Sequence, residues 1–75
     1  MNLVDLKKNT SARITTIDAE TNHTDRLNAM GIFVGSVVQK PYESRSQGPV
    51  FVATQHGCTF AIGHDLASKI FIAVE

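Results

Sequence analysis

His56, Cys58 and His64 are the concentration of side chains in this sequence able to ligate a transition metal. Imidazole and thiolate suit divalent transition metals, and structural zinc usually takes four such ligands. His56 and Cys58 are two residues apart, so on a strand they project to the same side. The three define a candidate weak site for Fe2+ or Zn2+, and no cofactor is required for the fold. The plainer assignment puts Cys58 on an apolar strand face with Phe60 and Ile62, as a buried thiol. His64 and Asp65 are neighbours in sequence, which does not by itself build an acid–base pair. There is no Ser-His-Asp spacing, phosphate-cradling glycine loop or dense set of carboxylates, so the expectation is a protein that is not an enzyme.

The elements that must position these residues turn on the stretch from Asp25 to Val38. Leu27 and Met30 are three apart and share one face of a helical turn. Gly31 follows directly and can take the left-handed conformation that closes a helix. Gly35 precedes Ser-Val-Val, which opens a strand. The two glycines bracket a helix-to-strand corner, with Ile32 and Phe33 available to plug a small core.

Around that corner the chain reads as follows. Asn2 to Lys8 is too short for a stable helix and docks as an arm or a single turn. Ala12 to Ile17 is rich in β-branched residues and predicts a first strand. Its two isoleucines are three apart, which breaks strict alternation and predicts a bend or bulge. A helix is predicted over about 23–30, with Thr21, Asn22 or Thr24 as its cap and Asp25 in its first turn. A second strand runs over 35–42 and ends at Pro41, which cannot donate to an interior ladder. The polar stretch 43–48 is a loop. Strands over 50–54 and 58–62 form a hairpin, with Gly57 at its left-handed position. Leu66, Ala67 and Ile70 have helical spacing, with Asp65 as cap of a single turn, and a last strand covers 69–74. The predicted class is mostly β: a small five-stranded SH3-like barrel with one short inserted helix and one helical turn before the last strand. Closing the sheet would remove most exposed edges.

The chain has 75 residues and fits a single domain over 1–75. Its hydrophobic content of 43% excludes a disordered chain. Seven basic residues balance seven acidic ones, which argues against nucleic acid and against electrostatic membrane binding. No apolar run is long enough to cross a bilayer, so direct membrane insertion is not expected. The first ten residues include Asp5, Lys7 and Lys8 and no apolar block, unlike a secretory leader. The single cysteine cannot form an internal disulfide, which fits a reducing, cytoplasmic setting. Proline-rich peptide recognition needs an aromatic-lined groove, and there is no Trp and one Tyr.

Arg26-Leu27, Met30-Gly31-Ile32, Gly35, Val37, Gly48-Pro49-Val50, Gly57, Ala61, Ala67 and Ile70 together resemble the ferrous iron transport protein A (FeoA) family. The match extends from about Leu6 to Val74. The resemblance implies an SH3-like barrel with a helical insertion. It also implies a small cytoplasmic accessory component of bacterial ferrous iron uptake, which binds and modulates the FeoB permease through its GTP-binding cytoplasmic domain. Such a protein would lie at the inner membrane only through that partner. The residues expected to contact the partner are Arg26, Leu27, Met30, Phe33, Tyr42 and Arg45, on the helix, the corner and the following loop. Gly31, Gly35 and Gly57 would serve as structural turns. Arg26 can instead pair with Asp25 or Glu20, and Leu27 and Met30 can serve only the core. A related barrel closes some iron-dependent repressors at their C-terminus. The alternative reading is therefore a metal-binding or metal-responsive domain using His56, Cys58 and His64. No winged-helix portion precedes the barrel in this sequence, which favours the accessory role. Unpaired sheet edges leave room for a homodimer.

Overall fold

The computed structural model describes residues 1–43 and 46–74. Five antiparallel strands form one sheet in the order β4-β3-β2-β1-β5: β1 Ser11–Ile17, β2 Val37–Gln39, β3 Val50–Thr54, β4 Thr59–Ile62 and β5 Ile70–Val74. Helix α1 spans Thr21–Ala29 between β1 and β2, and α2 spans His64–Ala67 between β4 and β5. A 3-10 turn at Leu3–Asp5 precedes β1. The architecture is the mostly β, SH3-like one expected, with a short inserted helix and a helical turn before the last strand.

The departure from alternation in β1 is a bulge. Ile14 pairs with Ile72 and Thr16 with Phe71, so β1 advances two residues while β5 advances one. Thr15 is the extra residue, and its hydroxyl donates to the Phe71 carbonyl at 3.2 Å. The bulge turns Ile17 back toward the same core that Ile14 fills. The hairpin β3–β4 is in register from Val50↔Ile62 to Ala53↔Thr59, and Gly57 in its turn has φ +83°. The inward positions of β3 are Val50, Val52 and Thr54.

Helix α1 ends as its sequence predicts. Met30 is the last residue with right-handed geometry and Gly31 follows at φ +88°. The Ile32 amide donates to the Leu27 carbonyl at 2.9 Å, and the Gly31 amide to the Asn28 carbonyl at 3.0 Å. This is the Schellman pair of bonds, and the apolar contact that accompanies it joins Leu27 and Ile32, both in the core. The nearest side-chain atom to a Cβ added at Gly31 is Thr54 Cγ2 at 3.9 Å, so there is room for a methyl group. The cost of Gly31→Ala is therefore conformational. We expect about 1–2 kcal/mol of lost stability by urea denaturation. An unchanged midpoint would mean that this position does not need a left-handed backbone.

Several boundaries and caps differ from the sequence expectation. Helix α1 starts at Thr21, its N-cap is Glu20 in extended conformation, and no side chain caps it. Thr24 donates instead to the Glu20 carbonyl at 3.2 Å, within the first turn. With that start, Asp25 falls beyond the first turn. Strand β2 is three residues, not eight, because the residues before it are bonded into a turn. The chain beyond it has Pro41, which lacks an N–H. Strand β4 begins one residue after Cys58. The N-cap of α2 is Gly63, so Asp65 lies inside the first turn rather than at the cap.

The sheet does not close into a barrel. Among the described residues β4 pairs only with β3, and β5 pairs with β1 on one side. The outer side of β5 is occupied by the N-terminus: Asn2 bridges Phe71, and the Ile72 amide donates to the Met1 carbonyl at 2.9 Å. Helix α2, which joins β4 to β5, packs against the N-terminal 3-10 turn, with Ala67 and Leu3 fully buried.

That 3-10 turn is capped by Asn2, whose side-chain oxygen accepts from the Val4 and Asp5 amides at 3.0 and 3.3 Å. A buried lysine anchors it further. Lys40 is 1% exposed, and its ammonium donates to the Val4 and Leu6 carbonyls at 2.9 and 2.8 Å.

Candidate functional site

The corner after α1 presents its apolar residues in a defined conformation. Phe33 to Ser36 form a β-turn in which the Ser36 amide donates to the Phe33 carbonyl at 2.9 Å. Gly35, third in the turn, has φ +95°, as a type II turn requires. The Ser36 hydroxyl closes the turn a second time. It donates to the Phe33 carbonyl at 2.7 Å and accepts from the Phe33 amide at 3.1 Å. The turn is also bonded to β1. The Gly35 amide donates to the Ile14 carbonyl at 2.8 Å, the Ile14 amide to the Ser36 carbonyl at 2.9 Å, and the Arg13 guanidinium to the Gly35 carbonyl at 2.7 Å.

The outward part of this turn is apolar. Phe33 is 46% exposed and Val34 59%, whereas the neighbouring Ile32 is fully buried. Two adjacent apolar side chains on a backbone held by six hydrogen bonds lose little freedom on meeting a partner. What this surface offers a partner is apolar contact on a fixed backbone.

The other residues expected to contact a partner are dispersed. Leu27 is buried with the core and does not reach a partner, because it is the inward residue of the Schellman contact. Met30 is half-buried and packs against the same core. Tyr42 is exposed and meets Phe51 edge to face, ring centroids 5.6 Å apart. Arg26 is exposed on α1, where among the described residues no ion pair joins it to Asp25 or Glu20. Arg45 lies outside the described residues. Val34 is the exposed residue that sequence reasoning missed. Its signal was its place between Phe33 and Gly35, at the outermost part of the turn.

The candidate metal ligands are not assembled. Cys58 is exposed, not buried with Phe60 and Ile62, because β4 begins only at Thr59 and Cys58 remains in the hairpin turn. His56 is in the same turn, while His64 starts α2 at the other end of β4. Four residues of extended chain put roughly 13 Å between those ends. Among the described residues no group of three or more His, Cys, Asp or Glu side chains is placed to hold a metal ion.

The model of the FeoA domain matches residues 1–74, nearly the whole chain. The chain belongs to the FeoA family. Membership implies a role in ferrous iron uptake. The same shape is found in a crystal structure of an iron uptake regulatory protein (FeoA), with a TM-score of 0.88 at 25% identity over 100% of this chain and 97% of that one. The solution structure of an FeoA protein from Chlorobium tepidum matches with a TM-score of 0.86 at 24% identity, over 99% of this chain and 70% of that one. A manganese-dependent transcriptional repressor in complex with manganese shares the fold at 20% identity and a TM-score of 0.83. This FeoA domain corresponds to 36% of that repressor's length. No curated protein matches the sequence. Among the described residues no helix of this FeoA domain is long and apolar enough to cross a membrane.

Proposed function

We propose that this FeoA-family chain is a non-catalytic interaction module of bacterial ferrous iron uptake. It binds the GTP-binding cytoplasmic domain of the FeoB permease through the Phe33–Val34 turn. The observation that supports this reading is the pair of exposed apolar side chains on a turn clamped by Ser36 and by β1. A rigid aromatic anchor on such a turn has the character of an interface hot spot. In this reading the chain works in the cytoplasm and reaches the inner membrane only through its partner. Modulation of the permease then requires that the module bind one state of the GTP-binding domain more tightly than the other, since equal affinity shifts nothing.

Calorimetric titration of the chain into the soluble cytoplasmic domain of FeoB tests this. The wild type is expected to bind, and Phe33→Ala to weaken binding about thirtyfold, the equivalent of roughly 2 kcal/mol. The urea midpoint of Phe33→Ala should stay near that of the wild type, because the side chain is half exposed. Absence of wild-type binding, or wild-type affinity in both Phe33→Ala and Val34→Ala, would overturn the proposal. GTP hydrolysis with and without the chain then reads the coupling directly.

A further inference from the structure

A second surface, made of other residues, lies in a cleft of about 930 Å³ between α1 and α2. One wall carries His23 and Arg26, three residues apart and so on one face of α1, with Glu20 at its N-cap. The other carries His64 and Asp65 of α2, followed by Lys69. Each wall therefore has one carboxylate, one imidazole and one permanent cation. Among the described residues none of these six side chains makes a hydrogen bond or ion pair. Charged groups of both signs share the cleft without neutralising one another.

His64 adds a specific donor. Its Nδ1 is sealed from solvent and has no hydrogen-bond partner among the described residues. A buried N–H without an acceptor is rarer and worse tolerated than a buried lone pair without a donor. Of the two neutral tautomers, the one with its proton on Nε2 avoids the orphaned N–H. Nε2–H is then the ring group able to meet a ligand. Gln47, at the rim, is held at φ +62°, a left-handed conformation that residues with a Cβ adopt uncommonly.

A cleft of one sign would recruit a simple ion. A cleft with both signs on both walls is matched by a ligand that carries both. We propose that the α1–α2 cleft binds a zwitterionic peptide ligand. Arg26 and Lys69 take its carboxylate, Glu20 and Asp65 take its ammonium, and the Nε2–H of His64 donates to a peptide carbonyl. The two sources of this chemistry are a free dipeptide and an internal segment of a protein with adjacent acidic and basic residues. The proposal uses none of the Phe33–Val34 turn and stands or falls apart from the docking reading above.

The test is a series of titrations of the ¹⁵N-labelled full chain, followed by amide chemical shifts. The probes are the dipeptide Lys-Glu, its acetylated and amidated form, inorganic phosphate and 1,4-diaminobutane. Saturable shifts with the free or the blocked dipeptide, centred on residues 20, 23, 26, 64, 65 and 69, are expected. Arg26→Gln and Lys69→Gln should each weaken binding about tenfold, as loss of a charge-assisted bond predicts, while keeping the native spectrum. Binding of the blocked form assigns the site to a protein segment, and binding of the free form alone assigns it to a small molecule. Three results would overturn the proposal: no saturable shift with either dipeptide, equal shifts with phosphate or the diamine, or dipeptide shifts that survive both substitutions.

Discussion

Lys40→Ala is expected to lower the free energy of unfolding by about 3 kcal/mol, from loss of a buried stem and of two bonds to a charged donor. For a chain of this length the total is roughly 4–11 kcal/mol, so that loss is a large share of it. The ammonium is 1% exposed and holds the Val4 and Leu6 carbonyls, while Leu3 and Leu6 of the same segment are buried in the core. Removing it deprives the N-terminal turn of its tie to the segment after β2. That turn in turn supports α2 and the outer side of β5. Lys40→Met keeps most of the stem and removes the need to bury a charge, so its expected cost is about 1–2 kcal/mol. Urea denaturation of the two variants separates the packing from the bonding. Equal midpoints for Lys40→Ala and wild type would show that the N-terminal turn is held without the ammonium.

Ile32→Ala should cost a similar or larger amount, about 3–4 kcal/mol. Ile32 is fully buried in the core, between the end of α1 and the turn that presents Phe33. Its amide makes the longer-range bond of the helix stop, so its backbone is fixed by Leu27. A backbone fixed in this way cannot move far to fill the space left by the missing side chain. The residual cavity then adds to the lost transfer free energy. The Phe33–Val34 turn should also loosen, with faster hydrogen exchange at the Ile32 and Gly35 amides than elsewhere in β1 and β2. A midpoint within experimental error of wild type would mean that the corner is not packed as described.

Much of the fold is legible in the residues themselves. The helix stop at Gly31, the turn at Gly35 and the hairpin at Gly57 follow from local backbone sterics, which act over a few residues and so show in the sequence. The bulge is visible in the spacing of Ile14 and Ile17, because a two-residue period cannot place both inward without an extra residue. The family is legible for the same reason: its motif is made of these turn and core positions. Less visible are features that depend on competition between partners. No capping side chain is used at α1, although Thr21, Asn22 and Thr24 all stand near its start. Alternation would place Cys58 inside, and it is outside because the strand begins one residue later.

Sequence alone settled the class, the order of elements and the corner, since hydrophobic period and positive-φ glycine act locally. Tertiary structure decided three other things. It put the Lys40 ammonium inside, where carbonyls far away in the chain await it. It left the sheet open, with the N-terminus along the outer side of β5. It brought the walls of the mixed-charge cleft together from α1 and α2, which lie more than thirty residues apart. Each of these depends on which distant groups meet, and a burial pattern read along the chain carries no record of that.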